Sequence, residues 1–454
     1  MKNKFLKTVT TLSAVFCMSA CQGQNRSNLS GRPYSEVLKE LDVKMLRTPQ
    51  ESSREISRAL LNDEKYLTFK EKIGVFSHKL SEAFVESEYN TNQNIIISPL
   101  SIEMCLGLAV SCASGETRQE LLTALDIDYA TFSKYYKFFY DDLSRLINND
   151  YKEIESELTL TNSIWIDNDV ELLDSGLDDL KDNYYCHSFA ADFGSEHNKE
   201  TVQAMQYFIE QQTHGLIKPE LSFSPNTLFV LMNTLYLKDL WNDWGGDLNT
   251  TNKYAFKNAN GNVSDKQLLQ GYYLPGRALK TDDYSCFHTE TSNYLRIYFV
   301  KPNEGKTLKS VFNKETMAYV LDDTNYIYQD DEKLERYYTN CVFPEFKADS
   351  EVDLINMFKN NFNVKTLFDY DTCDFSNITN KEGYIEQFKH IAKLDVNKSG
   401  IEGAAVTYMA YAGKAGPDQY KDVNETFVVD QEFGLILTNY YGDVIFSGAV
   451  TNID

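Results

Sequence analysis

Six histidines, His78, His187, His197, His214, His288 and His390, are the residues best suited to acid–base or metal chemistry. None has a ligand partner at metal spacing. His187 and His197, with Asp192 between them, are the nearest pair, and they read as scattered surface or core residues. The chain contains no G-x-S-x-G nucleophile elbow, no P-loop, no G-x-G-x-x-G and no H-E-x-x-H. Carboxylates are abundant, but nothing marks out one pair for glycoside chemistry. Cys17 and Cys21 lie near the amino terminus; Cys105, Cys112, Cys186, Cys286, Cys341 and Cys373 are far apart and form no C-x-x-C pair. They read as buried small side chains, with one or two bridges left open. The residues thus point to no enzyme, metal or cofactor.

The charge balance narrows the partners. The 44 Lys and Arg against 67 Asp and Glu give a formal charge of −23. Phosphate binding needs clustered basic residues, so nucleic acid is excluded as a partner, and adhesion to anionic lipid heads is disfavoured. With 42% hydrophobic and 13% aromatic residues the chain can still bury a large core. Residues 1–20, MKNKFLKTVTTLSAVFCMSA, read as a secretory signal: a basic start, a modest apolar stretch, then small residues. Met18-Ser19-Ala20-Cys21 resembles the bacterial lipoprotein processing box, in which the Cys becomes the acylated amino terminus. Cys21 would then hold the protein to a bacterial cell envelope, facing the periplasm or the outside, with the membrane reached only through lipid. An ordinary signal peptide is the alternative.

The elements behind these residues are α+β in class. Residues 21–65 are polar and read as a tether, with a short helix expected near Tyr34–Leu46; residues 66–454 form one large domain. Lys70–Glu88 has helical periodicity through Ile73, Phe76, Leu80, Ala83 and Phe84. A short apolar strand ends at Ser98, which can cap a helix opened by Pro99. A second cap is expected at Ser114. Strands are expected at Leu158–Ile166, Phe189–Phe193, Leu295–Val300, Asn340–Phe343 and Phe388–Val396, and a helix over Thr201–Thr213. Thr227–Leu237 reads as a strand buried on both faces, with Asn233 embedded in it. Gly434–Thr438 and Val444–Val450 read as a hairpin.

Asn94–Leu125, NIIISPLSIEMCLGLAVSCASGETRQELLTAL, resembles the first signature region of the serpin family. Four further regions agree in order. Asn233-Thr-Leu-Tyr-Leu-Lys-Asp-Leu-Trp241 is similar to N-x-(I/L)-(Y/F)-F-K-G-x-W, with Asp239 in place of the Gly. Phe343-Pro-Glu-Phe346 with Asp374-Phe375-Ser376, then His390-Ile-Ala-Lys-Leu394, then Ile445-Phe446-Ser447-Gly448 match the rest over about residues 66–454. Lys398-Ser-Gly-Ile-Glu-Gly-Ala-Ala-Val-Thr407 resembles the hinge E-E-G-T-E-A-A-A-A-T.

The resemblance implies a serpin fold, with three β-sheets, about eight or nine helices and an exposed reactive loop. It implies a suicide inhibitor of serine, and also cysteine, proteases. The target's own nucleophile attacks the loop, and the cut loop enters the main sheet as a new strand. Gly400, Ile401, Glu402, Gly403, Ala404, Ala405, Val406 and Thr407 form the hinge. They are small or β-compatible, and no Pro occurs until Pro417. Ile401, Gly403, Ala405, Thr407 and Met409 would face the core and Glu402 the solvent. Hinge spacing places the cut after Lys414, before Ala415, which suits a trypsin-like protease. Counting back from Phe433 gives Lys421 instead, while Met409 and Tyr411 suit other specificities. Ser98, Ser101, Asn233 and His390 correspond to the shutter under the opening strands, and Lys238 and Trp241 to the breach where insertion begins. Lys398, Ser399, Ile401 and Val406 depart from the hinge motif and leave room for a non-inhibitory binding protein or a plain protease substrate. A monomer is expected.

Overall fold

The computed structural model describes residues 32–52, 58–147, 156–194, 198–241, 247–401 and 420–453. Three sheets organise them. The seven-stranded sheet runs Lys44–Arg47, Cys186–Ala191, Glu157–Asp167, Phe229–Leu240, Gly400–Ile401, Lys389–Asn397, Phe346–Asp353. The six-stranded sheet runs Ile95–Ile97, Val444–Val450, Phe433–Thr438, Arg296–Pro302, Tyr284–Glu290, Ala278–Lys280. The five-stranded sheet is built on Glu335–Phe343, which pairs antiparallel with Val263–Pro275 and parallel with Lys421–Val428. Nine α-helices of seven residues or more, among the described residues, pack around them.

Local chemistry explains the helices nearest the site. Glu64–Glu88 starts at Asp63, whose side chain accepts from Lys65 N at 2.9 Å. It buries Tyr66, Phe69, Ile73, Phe76, Leu80 and Phe84, one stripe at helical spacing. Pro99–Cys112 follows the Ile95–Ile97 strand and is capped by Ser98, whose Oγ accepts from Ser101 N at 3.2 Å. Pro99 occupies the first turn, where its missing N–H costs nothing. Of this helix's fourteen residues only Cys105 is not buried, so it runs through the middle of the core. Ser114 precedes the Gly115–Leu125 helix but makes no side-chain cap; its Oγ donates to Asn377 Oδ1 instead.

Two expectations need correction. The tether does not extend to residue 65. Tyr34–Glu40 is a helix that buries Val37 and Leu38, and Lys44–Arg47 pairs with Cys186–Ala191. The helix stops at Glu40 because the chain reverses through Asp42 at φ 55° and puts Val43 into the same small core as Phe189 and Phe208. The Phe229–Leu240 strand is also not buried throughout. Thr234–Leu237 are buried, but Phe229–Asn233 are half-buried, because one edge of that half faces an open slot. The six described cysteines are all free thiols. Among the described residues no helix is long and apolar enough to cross a membrane.

Candidate functional site

The slot lies between the strands Phe229–Leu240 and Lys389–Asn397. At one end the two-residue strand Gly400–Ile401 bridges them. Gly400 and Ile401 pair with Leu240 and Asp239 on one side, and with Asn397 and Val396 on the other. Along the rest of their facing edges no described strand joins them. Under the gap lie cavities of about 660 and 140 Å³ that share Cys105, Val230, Leu231 and Phe388. Among the described residues both edges leave backbone donors and acceptors without a ladder partner, which makes this a place where an extended chain can be added.

The bridged end is tightly built. Trp241 is buried, and its Nε1 donates to Asn397 O at 2.8 Å while its ring meets Phe343 edge-on. Leu248 N donates to Lys398 O, and Lys398 N to Glu345 Oε1, both at 2.8 Å. Asp247 accepts from Ser399 Oγ at 2.6 Å and pairs with the Lys398 ammonium at 2.8 Å. These contacts hold the Asp247 carboxyl below its ordinary range. Gly400 is required here: a Cβ would stand 2.2 Å from Asp239 O. Lys398 and Ser399, the two residues that replace Glu in the hinge motif, are therefore the ones that fasten the turn.

Midway along the slot, Ser98, Ser101 and His390 come together. Ser98 N donates to His390 Nε2 at 3.0 Å, and Ser98 Oγ donates to Ile445 O at 2.7 Å. Burial lowers the His390 imidazole to about 4, so the ring is neutral and free to accept. Asn233 lines the same cavity from the other strand but bonds elsewhere, its Nδ2 donating to Asn162 Oδ1 at 2.9 Å. Its buried Oδ1 has no partner among the described residues. Asn162, fully buried, passes the network on to Tyr184 O at 2.8 Å and Tyr136 OH at 3.3 Å. The slot thus separates the two halves of the expected polar cluster.

Of the other expected residues, Lys238 is half-buried on the strand beside the bridged end. Lys421 opens the strand Lys421–Val428, and its N donates to Leu334 O at 2.8 Å. Its backbone is locked in the ladder with Glu335–Phe343. Glu402, Gly403, Ala404, Ala405, Val406, Thr407, Lys414, Ala415 and Cys21 lie outside the described residues. Sequence reasoning missed Asn162, which only cross-strand register puts beside Asn233. It also noted Asp239 merely as a departure from a motif. Asp239 is fully buried and accepts five hydrogen bonds. Burial raises its carboxyl, and those bonds oppose the rise.

Residues 71–453 match the family model described as Serpin (serine protease inhibitor). The Homo sapiens protein Serpin B4 is 24% identical over 395 residues, 82% of this chain and 96% of that protein. Among solved structures, Serpin48 of the insect Tenebrio molitor superposes with a TM-score of 0.70 at 21% identity, over 87% of this chain and 100% of the other. Human thyroxine-binding globulin in complex with thyroxine gives 0.68 at 19% identity, over 86% and 99%. With three sheets among its described residues and a family match over most of its length, the chain belongs to the serpin family.

Proposed function

We propose that this serpin is a suicide inhibitor of serine, and also cysteine, endopeptidases, and that a trypsin-like enzyme cuts it after Lys414. The open slot beside the Gly400–Ile401 bridge is the observation that carries this reading. A strand continued beyond Ile401 in the same register would set residue 403 against Leu237 and Leu394, and residue 405 against Leu235 and Ala392. Gly403 and Ala405 are small enough for those buried neighbours. Residue 407 would stand between Asn233 and His390, where the Thr407 hydroxyl can donate to the orphaned Asn233 Oδ1.

The protein supplies no catalytic group. The protease's nucleophile forms an acyl-enzyme with the loop, and insertion then drags the enzyme away before water can release it. Fourteen inserted residues at ~3.3 Å each carry it roughly 45 Å. Each new ladder bond adds about 1 kcal/mol net, which ordering the backbone at about 1–2 kcal/mol per residue largely offsets. Apolar burial in the slot then supplies the release, on the order of 10 kcal/mol for roughly 400 Å². The uncut fold is accordingly a kinetically trapped state. The test is a protease panel. A complex that survives denaturing electrophoresis, with a released fragment that begins at Ala415 by mass spectrometry, supports the reading; plain cleavage by every enzyme refutes it.

A second reading is a non-inhibitory binding protein on the same fold, for which the departures at Lys398, Ser399, Ile401 and Val406 speak. It predicts no gain in thermal stability when the loop is cut. In either case the chain acts as a monomer, exported and lipid-anchored through Cys21 in a bacterial cell envelope. Labelling with a fatty acid that persists in Cys21→Ser would refute the anchor.

A further inference from the structure

Asp239 occupies the mouth of the slot, opposite Ile401 in the strand register. Its Oδ1 accepts from Leu240 N at 3.0 Å, from Asn293 Nδ2 at 2.9 Å and from Ser156 Oγ. Its Oδ2 accepts from Asn293 N at 3.1 Å and Thr291 Oγ1 at 2.5 Å. The donors come from three places: the strand itself, the start of the neighbouring Glu157–Asp167 strand, and the turn joining Tyr284–Glu290 to Arg296–Pro302 in the six-stranded sheet. Three of the five belong to that turn. The same seam carries Ser292 N to Leu240 O at 2.8 Å and Ser292 Oγ to Trp241 O at 3.2 Å.

None of the five donors to Asp239 among the described residues is a cation. A buried carboxylate without a counter-ion depends entirely on the geometry of its neutral donors. Any sideways shift of the strand head against the six-stranded sheet strains the three turn donors together. Widening the slot at its mouth requires such a shift, because that turn belongs to the other sheet. The inward-facing hinge residues Gly403 and Ala405 are small, so their own chemistry does not stop them from entering the slot before the loop is cut. Something at the mouth has to hold the strand head in place.

We propose that the Asp239 carboxylate is a positioning residue that ties the head of the Phe229–Leu240 strand to the 291–293 turn and so holds back insertion of the uncut loop. The proposal rests on the inhibitory reading above and adds its control. Asp239→Ala removes the tie. Asp239→Asn restores part of it: the Ser156 hydroxyl and the Asn293 amide can reverse their roles, whereas the Leu240 and Asn293 N–H groups cannot. Thr291→Val removes one donor and preserves the side-chain shape.

The experiment follows wild-type, Asp239→Asn, Asp239→Ala and Thr291→Val proteins at 37 °C. It measures residual inhibition of trypsin together with the appearance, on urea gels, of an uncut monomer that resists unfolding. Loss of a hydrogen bond to a buried charge corresponds to about a tenfold rate change or more. The expected result is conversion to that uncut, resistant form at least ~10-fold faster in Asp239→Ala and Thr291→Val, and by a smaller factor in Asp239→Asn. A purely structural role would lower the midpoints of intact and loop-cut protein equally and yield no such form; that result overturns the proposal. Should Asp239→Ala fail to fold, the Thr291→Val rate decides in the same way. Absence of any thermal gain on cutting the wild-type loop would sink the inhibitory reading and this proposal with it. A normal gain with unchanged conversion rates would sink this proposal alone.

Discussion

Replacing Ala405 with Arg tests which face of the loop enters the sheet. Continued from Ile401, the strand register sets residue 405 against Leu235 and Ala392, which are 7% and 3% exposed. A guanidinium there would be buried with no acidic partner, at a cost of roughly 3–5 kcal/mol. If that cost falls on the insertion barrier, insertion slows by about 10²–10⁴-fold. Hydrolysis of the acyl-enzyme then wins, and the variant becomes a substrate. Residue 404 points to the opposite face, between Tyr236 and the half-buried Lys393, where a long side chain can extend its charge outward, so Ala404→Arg keeps the trap. Each protein is mixed with trypsin at equal concentration, and the denaturation-resistant complex is quantified on gels against cleaved inhibitor. The expected order is wild-type and Ala404→Arg alike, with Ala405→Arg reduced to cleavage. A wild-type yield of complex from Ala405→Arg, or equal loss from both variants, would refute the register and with it the insertion route.

Two further outcomes follow from the site. Lys414→Ala should abolish the complex with trypsin-like enzymes, and Lys421→Ala should leave it intact, as read by the mass of the released fragment. His390 supplies a pH dependence. Its folded value of about 4 lies below the ordinary histidine value, so the unfolded chain binds the proton first as pH falls. Stability from this group is full above pH ~6.5 and is lost progressively towards pH ~4, up to about 3 kcal/mol in all. The half-buried His78 and His187 and the buried His288 are lowered too, so the comparison must be with His390→Gln. That variant keeps an acceptor for Ser98 N and should show a shallower fall in midpoint between pH 7 and pH 5.

Local signals were readable where neighbours in sequence decide the structure. Ser98 and Pro99 announced a helix start, and the Ile73–Phe84 stripe announced a buried helix face. Both depend on contacts within a turn or two of the residue itself. The slot was not readable in the same way, because it is a relation between Phe229–Leu240 and Lys389–Asn397, more than a hundred residues apart. The family motif implied an opening sheet, but not that Asn233 would bond Asn162 while His390 bonds Ser98. The strand Lys44–Arg47 was hidden by its shortness, four residues with no readable alternation; it is held by pairing with Cys186–Ala191 and by Arg47 bonding Asp174 and Asp178. Asp239 was hidden for the opposite reason. A single acid in an apolar strand argues against burial, and four of its five donors lie at least fifty residues away.

If the slot takes up the loop, the cut protein is far more stable than the uncut one. Thermal unfolding before and after a single cut in the loop measures this directly. For a domain of this size, a release on the order of 10 kcal/mol raises the midpoint by roughly 10–15 °C. A gain of that order, lost in Ala405→Arg, is the expected result. An unchanged or lower midpoint in the cut wild-type protein would show that no strand enters, and would contradict the account.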